Sequence, residues 1–407
     1  MRRVVVTGMA GITSIGDTWA AVDMALRAGR SGIRYMPEWD RYQALHTRLG
    51  GPVKDFSVPP HYPRKQIRSM GRVSLLAVRA SEMALSDADL LEDPSIHDGR
   101  MGVSYGSAAG SVDPMKDFAQ MLSSDSMQGV NSTSYVRMMS HTAAVNVGLY
   151  FKLTGRIVPA SSACTSGSQA IGFGYESIRA GKQLLMLAGG AEELSALGAA
   201  VFDTLFATST MNEAPNSTPR PFDRARDGLV VGEGAATLVL EERDHALARG
   251  ARIYAEIVGF GTNSDGRHIT DPSMETMGRV MGLALEDARL AASAIGYVSA
   301  HATATVAGDI AESHATLSVL GDKVPISSMK SYLGHTLGAC GAIEAWWAIE
   351  MLRRDWFAPT RNLVSVDPAC AALDYILGEG RRLNVEHIMS NNFAFGGINT
   401  SLVFRRA

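Results

Sequence analysis

An α/β fold made of two similar halves, each a mixed sheet layered with helices, is predicted by three observations. The chain has 407 residues, 46% of them hydrophobic and 19% charged, which is enough apolar material for two or three large packed units. Helical patterns such as 73–85 and 277–290 alternate with short β-branched runs such as Ile157-Val158 and 254–258. Three short patterns also recur in the same order in both halves, the mark of a fused duplication.

The first pattern, Ala84-Leu85-Ser86-Asp87-Ala88-Asp89-Leu90, is echoed by Ala284-Leu285-Glu286-Asp287-Ala288-Arg289-Leu290. The second, Val158-Pro159-Ala160-Ser161-Ser162-Ala163, is echoed by Val324-Pro325-Ile326-Ser327-Ser328-Met329. The third, Gly232 with Thr237-Leu238-Val239, is echoed by Gly396 with Ser401-Leu402-Val403. The stretch between the first two patterns is about 34 residues longer in the first half, so an insertion belongs there. The Ser- and Met-rich segment 115–139 fits it and reads as a cap or loop. The halves are expected at 1–251 and 252–407. No Pro/Gly/Ser-rich linker separates them, so they should form one body with helices between and outside two sheets.

Along the chain, Val4-Val5-Val6 reads as a first buried strand. Thr7-Gly8 ends that apolar run too early for a signal peptide, and no run approaches the roughly 18 residues needed to span a bilayer. Segment 241–250 is a charged surface helix and turn. With Lys+Arg 38 against Asp+Glu 41 and a net charge of −3, the chain has no basic excess to release counterions from a nucleic acid. Disorder is excluded as well. Cysteines at 164, 340 and 370 make neither a disulfide framework nor a zinc pattern, so a reducing cytoplasm fits best. There is no dinucleotide fingerprint, P-loop or metal constellation.

Cys164 falls where the strand 157–163 gives way to the helical stretch 165–179, with Gly167 just behind. A sulfur at a helix N-terminus faces unpaired N–H groups and the positive end of the macrodipole, which favours the thiolate. Its own N–H can point at a developing oxyanion. A small buried thiol is the other meaning of such a cysteine. The equivalent elbow of the second half is expected to carry Lys330, with Gly334-His335 in the same loop, and His301 should end the strand 296–300. Each histidine alone reads as a hydrogen-bonded structural residue. Cys, His, Lys and His together at strand ends of one duplicated fold are hard to explain by packing.

On these residues the chain resembles the β-ketoacyl-acyl carrier protein synthases, the elongating condensing enzymes of the thiolase superfamily. The likeness covers nearly the whole length. It rests on 161–167 (Ser-Ser-Ala-Cys-Thr-Ser-Gly), on Arg220-Pro221-Phe222-Asp223 with Arg226-Asp227-Gly228, and on His301-Ala302-Thr303-Ala304-Thr305 with Gly308-Asp309. It rests also on Lys330-Ser331 with Gly334-His335, and on Asn391-Asn392-Phe393 with Phe395-Gly396-Gly397. The patterns are closer to elongating types I and II than to the initiating type, which uses Cys, His and Asn.

The resemblance implies a thiolase-like αβαβα fold and a decarboxylative condensation of malonyl carrier with an acyl group on Cys164. Backbone N–H groups of Cys164 and Phe395 would hold the oxyanion, and neutral His301 and His335 the enolate. Lys330 is too basic to accept a proton at neutral pH, so it is assigned to electrostatics near His301 with Glu312, a structural ion pair being the other reading. Thr303 and Thr305 resemble the hydroxyls that bind pantetheine amides. Phe393 and Phe395 resemble gating aromatics, with Gly396 and Gly397 lending mobility; ordinary core packing is the other meaning. Glu344 sits on the helix that would back the Gly334-His335 loop. Glu192, Glu193, Trp346 and Trp347 are read as structural.

No cofactor is implied beyond the phosphopantetheine of the acyl carrier protein, which belongs to the substrate. Arg64, Lys65 and Arg68 form a basic cluster suited to an acidic carrier, though a solvated helix face is the commoner meaning. A homodimer paired through the strand before Cys164 is implied, and a heterodimer with a related chain stays open. The chain departs from the family at Ala302, where glycine is usual, and at Ala304, where glycine or serine is common. It departs also at Ala108, where type II relatives tend to place a larger aliphatic residue at the acyl tunnel. The smaller side chain suggests room for long, rigid or unsaturated chains, as in a polyene or polyketide-like pathway. Two rivals remain. A thiolase needs a second reactive cysteine, a role for which neither Cys340 nor Cys370 has the Gly-flanked setting. A chain-length-factor subunit would lack the nucleophile.

Overall fold

The computed structural model describes residues 1–407. Eleven strands form one hydrogen-bonded sheet whose two halves repeat the same order. From its edge inward, the first half runs Ile157–Ala160, Met101–Gly106, Leu185–Glu192, Gly234–Glu242 and Val4–Thr13. The second runs Pro325–Ser327, Ile295–Ser299, His387–Ala394, Ile398–Arg406 and Ala255–Ser264, with Asp374–Tyr375 added outside. In both, the three outer strands are parallel and the next two pairings antiparallel.

Two separate sheets were expected; instead they join edge to edge. The join is short, Val4–Val6 against Ala255–Ile257, so the sheet is continuous in hydrogen bonding while each half packs its own layers. Arg72–Asp87 and Thr142–Tyr150 cover the outer face of the first half, and Met274–Ala288 and Val306–Leu320 that of the second. Ser166–Arg179 and Cys340–Arg354 lie between the halves in a shared core. Residues 340–352 are buried without a break, which is why this helix carries Trp346 and Trp347 on faces that a surface helix would give to water. No helix is long and apolar enough to cross a membrane.

The sequence echoes have a packing cause. A Cβ at Gly8 would lie 2.4 Å from the Ala84 carbonyl oxygen and 2.7 Å from the Ala88 Cβ; at Gly259 the equivalent distances to Ala284 and Ala288 are 2.3 and 2.8 Å. Each helix thus crosses its strand at a glycine with alanines facing it. The aspartate of each pattern accepts a hydrogen bond from the strand beneath, Asp87 from Met9 N at 2.9 Å and Asp287 from Phe260 N at 3.1 Å. Both strands carry a register shift beside that contact, which leaves an N–H for the aspartate to take.

The expected insertion contains two helices, Asp113–Ser124 and Ser134–Met138, and exposes Leu122, Met127 and Tyr135. Segment 241–250 differs from expectation at its start. Glu241 lies in the buried strand Gly234–Glu242 and accepts from Thr7, His245 and Arg249, and the exposed helix is Arg243–Ala248.

Candidate active site

Both halves turn from strand to central helix through a tight elbow. Ala163 has φ +49° before Cys164, and Leu337 has φ +47° before Gly338. The residue matching Cys164 is therefore Gly338, not Lys330; the lysine stands earlier, on the short helix Lys330–Leu333. Gly338 is required there, because a Cβ would lie 2.5 Å from Ala108 N and 2.6 Å from Glu192 Oε2. The two elbows meet: a Cβ at Gly167 would stand 2.9 Å from Ala342 N and 3.0 Å from Gly338 O.

This contact brings His335 Nε2 to 2.9 Å from Cys164 Sγ. The His301 and His335 rings lie 5.1 Å apart between centroids and are perpendicular. All three side chains are buried and line one cavity of about 380 Å³ with Thr303, Thr305, Phe393 and Phe395. Phe202, Leu205 and Phe206 complete its apolar wall.

Burial pushes the Cys164 thiol up to about 11, against the pull of the Lys330 charge and of the peptide N–H groups of Phe395 and Cys164. The helix start alone therefore does not produce the resting thiolate that the sequence suggests, because loss of water outweighs the partial charges of the first turn. Those two N–H groups nonetheless face the sulfur, the place where an oxyanion would form. Burial lowers both His301 and His335 well below the ordinary histidine value, and the Lys330 charge lowers them further. Both rings are neutral at physiological pH.

Lys330 is paired with Glu344, not with Glu312. Burial opposes its charge, but the Glu344 carboxylate paired with it favours the protonated form. Glu312 instead accepts from the peptide N–H groups of His301 at 2.8 Å and Ala302 at 2.6 Å, which fixes the loop that presents the ring. Burial pushes Glu312 up to about 8. Ala304 sits at φ +70°, the left-handed region that glycine occupies without cost, so the chain keeps the turn with a strained alanine.

Thr303 and Thr305 stand 3.0 Å apart through their hydroxyls at the cavity wall. The Phe395 ring lies 5.1 Å from that of Phe202, and Phe393 lies 6.0 Å from His301. Gly396 and Gly397 have φ of +85° and +69°, and Gly396 N donates to Ile269 O at 2.8 Å, tying this turn to a second loop at the cavity mouth. Ala108 does not line the cavity. It packs against the buried cluster that includes Phe202 and Leu337. Arg64, Lys65 and Arg68 are exposed at the short helix Arg64–Ile67, away from the cavity lining.

Three residues without a site role in the sequence reading adjoin the site. Glu192 is buried directly behind the elbows and takes four donors: Ala108 N, Ala109 N, Gly338 N and Ser107 Oγ. Burial pushes it up to about 7. Cys340 donates through its sulfur to Cys164 O at 3.2 Å without lining the cavity. Asn392 Nδ2 donates to Glu344 Oε2 at 2.7 Å and reaches His301 Nδ1 at 3.4 Å. Its place in the Asn391-Asn392-Phe393 run was the one available signal.

Cys164, His301 and His335 have ligand atoms close enough to share a metal, as do His301, Cys340 and Glu344. The second set already faces the Lys330 ammonium and the Asn392 amide hydrogens, and the positive potential of Lys330 opposes a cation at either.

Comparison with known proteins agrees in its parts. The family model described as "Beta-ketoacyl synthase, N-terminal domain" matches residues 1–246, and "Beta-ketoacyl synthase, C-terminal domain" matches residues 254–364. A 3-oxoacyl-[acyl-carrier-protein] synthase 1 of Haemophilus influenzae is 38% identical over 100% of this chain and 99% of its own. A β-ketoacyl synthase structure from Burkholderia phymatum is 65% identical with a TM-score of 0.99, covering 100% of both chains. A type II PKS acyl-carrier protein in complex with its ketosynthase supplies a further likeness, at 31% identity and a TM-score of 0.88 over 100% of this chain and 99% of that one.

Proposed function

Because this chain belongs to the β-ketoacyl synthase family, we propose that it is an elongating 3-oxoacyl-[acyl-carrier-protein] synthase working through Cys164, His301 and His335. The observation that carries the reading is the meeting of one sulfur and two neutral imidazoles in a single cavity, with His335 Nε2 at 2.9 Å from Sγ. In the first step the Cys164 sulfur attacks the acyl thioester carbonyl, its proton passing to the departing carrier thiol. His335 Nε2–H is placed to donate to the sulfur and steady its negative charge as that proton leaves, and the N–H groups of Cys164 and Phe395 to stabilise the oxyanion.

In the second step the bond between the malonyl methylene and its carboxylate breaks, CO2 leaves, and the electron pair enters an enolate held by the Nε2–H groups of His301 and His335. The enolate carbon then attacks the acyl-Cys164 carbonyl, the sulfur leaves as thiolate and takes up a proton from water, and a 3-oxoacyl carrier two carbons longer is released. Thr303 and Thr305 serve the pantetheine arm at the cavity wall. Phe393, Phe395 and Gly396 gate access to it. Lys330, Glu344 and Glu312 support the histidines.

The same reading assigns residues 1–251 and 252–407 as the two halves and a cytoplasmic setting. Arg64, Lys65 and Arg68 dock an acidic carrier. Ile157–Ala160 is the sheet's outer edge, with Ile157 exposed, and suits a dimer partner's strand. The small Ala108, packed against the cluster of Phe202 behind the cavity, leaves room for the cavity to extend and take long or unsaturated acyl chains of a polyene or polyketide-like pathway. A chain-length-factor role is disfavoured by a cysteine that opens on the cavity, and a thiolase role by a second thiol, Cys340, that does not. The test is to supply acyl carriers of graded length and unsaturation with malonyl carrier and to weigh the intact carriers. A 3-oxoacyl mass supports the reading; unchanged carriers overturn it. A profile confined to short saturated chains overturns the pathway assignment alone.

A further inference from the structure

Asn392 is fully buried at the end of the strand His387–Ala394, between the Lys330–Glu344 pair and His301. Its amide orientation is set by its neighbours. Nδ2 gives one hydrogen to Glu344 Oε2 at 2.7 Å, whereas the flipped amide would turn its oxygen onto a carboxylate that already holds Lys330. The second amide hydrogen faces His301 Nδ1 at 3.4 Å and, more distantly, Cys340 Sγ at 3.7 Å. The Asn392 oxygen has no partner, so the nitrogen end alone anchors the side chain.

An amide nitrogen only donates. His301 Nδ1, facing it, must present its lone pair, and the single ring proton must sit on Nε2. We propose that Asn392 is a positioning residue that fixes His301 in the Nε2–H tautomer, carrying the orientation imposed by Lys330 and Glu344 to the ring. The inference rests on the condensing reading above and deepens it: Nε2–H is the form that can donate to an enolate oxygen.

The groups facing His301 from the surrounding elements are Lys330, His335, Glu312, Glu344 and the Cys340 and Cys164 thiols. None of these makes a hydrogen bond at Nδ1; the neutral amide of Asn392 does, at 3.4 Å. A donor held there also opposes the imidazolium, whose Nδ1–H would point at the amide hydrogens.

The test compares the wild type with Asn392→Asp, which keeps the shape and replaces the donor by an acceptor, and Asn392→Ala, which removes it. For each folded variant, checked by its melting transition, three quantities are measured: acylation of Cys164 by acyl carrier, kcat and KM for malonyl carrier, and the pH profile of condensation. In both variants kcat should fall at least about tenfold, with acylation and KM within about threefold. The acidic limb of the profile should move to higher pH, further in Asn392→Asp, because the ring takes up a proton more readily once the donor is gone. Unmoved limbs with a kcat near wild type in either folded variant overturn the proposal, as does an equal loss in acylation and condensation. If the wild type itself makes no 3-oxoacyl product, the functional reading fails and takes this proposal with it.

Discussion

Replacing His301 by alanine separates the two chemical steps, because of the two histidines only His335 is hydrogen-bonded to the sulfur. The stability cost should be small. His301 lines an existing cavity, so its removal enlarges open space without creating a sealed void, and its one side-chain bond, from Asn392, is long at 3.4 Å. Asn392 keeps Glu344 at 2.7 Å, so losing one weak buried bond should cost about 1 kcal/mol. The effect on the enolate should be far larger. Removing one preorganised donor from a developing oxyanion costs about 10²–10³ in rate, or roughly 2.7–4 kcal/mol. In a single-turnover assay, acylation of Cys164 is followed by intact-protein mass, and malonyl carrier is then added while the 3-oxoacyl product is timed. His301→Ala should acylate within about threefold of wild type and condense slower by about 10²–10³. Condensation within threefold of wild type, or acylation and condensation lost in equal measure, would refute the division of labour.

Three further outcomes follow from the buried charges and close contacts. Because burial sets the Cys164 thiol at about 11, its iodoacetamide labelling should keep accelerating as pH rises past 9. Lys330→Met should slow labelling at pH 8 by about tenfold per unit of further rise, and a plateau below pH 8 in the wild type would contradict this. Glu192 at about 7 binds a proton in the folded chain that the unfolded chain has released above its ordinary 4.5. Its contribution to stability therefore falls as pH rises from 4.5 to 7. Glu192→Gln should flatten that slope in urea unfolding while costing about 2–4 kcal/mol throughout, since its NH2 group must face two of the four donors. Gly167→Ala should destabilise by about 1–3 kcal/mol in the same assay, as its Cβ would stand 2.9 Å from Ala342 N; unchanged stability would show that the elbows do not meet.

The duplicated fold was legible because its echoes record contacts. Ala84, Asp87 and Ala88 recur as Ala284, Asp287 and Ala288 because each helix must cross a glycine and satisfy a strand N–H. The edge-to-edge join was not legible, since three residue pairs between Val4–Val6 and Ala255–Ile257 leave no pattern that distinguishes them from any buried strand. Cys164, His301 and His335 could be selected from the strand ends and motifs that carry them, and the structure brings them together. The partner of Lys330 could not. Glu312 and Glu344 are both buried on helices near the lysine, and which one reaches it depends on how each helix is rotated in the packed core. Asn392 was visible in its motif, but its contact crosses from a strand to a helix and a loop of distant sequence. The resting state of the thiol also escaped the sequence, because the cost of burial depends on surroundings that only the closed fold supplies.

Mapping the acyl group tests the central claim most directly. After incubation with acyl carrier and no malonyl donor, proteolysis and mass measurement should find the acyl mass on the peptide containing Cys164 and on neither Cys340 nor Cys370. Subsequent malonyl carrier should remove it as 3-oxoacyl product, and Cys164→Ala should carry no acyl mass. An acyl group on another residue, or product formed at the wild-type rate by Cys164→Ala, would contradict the account.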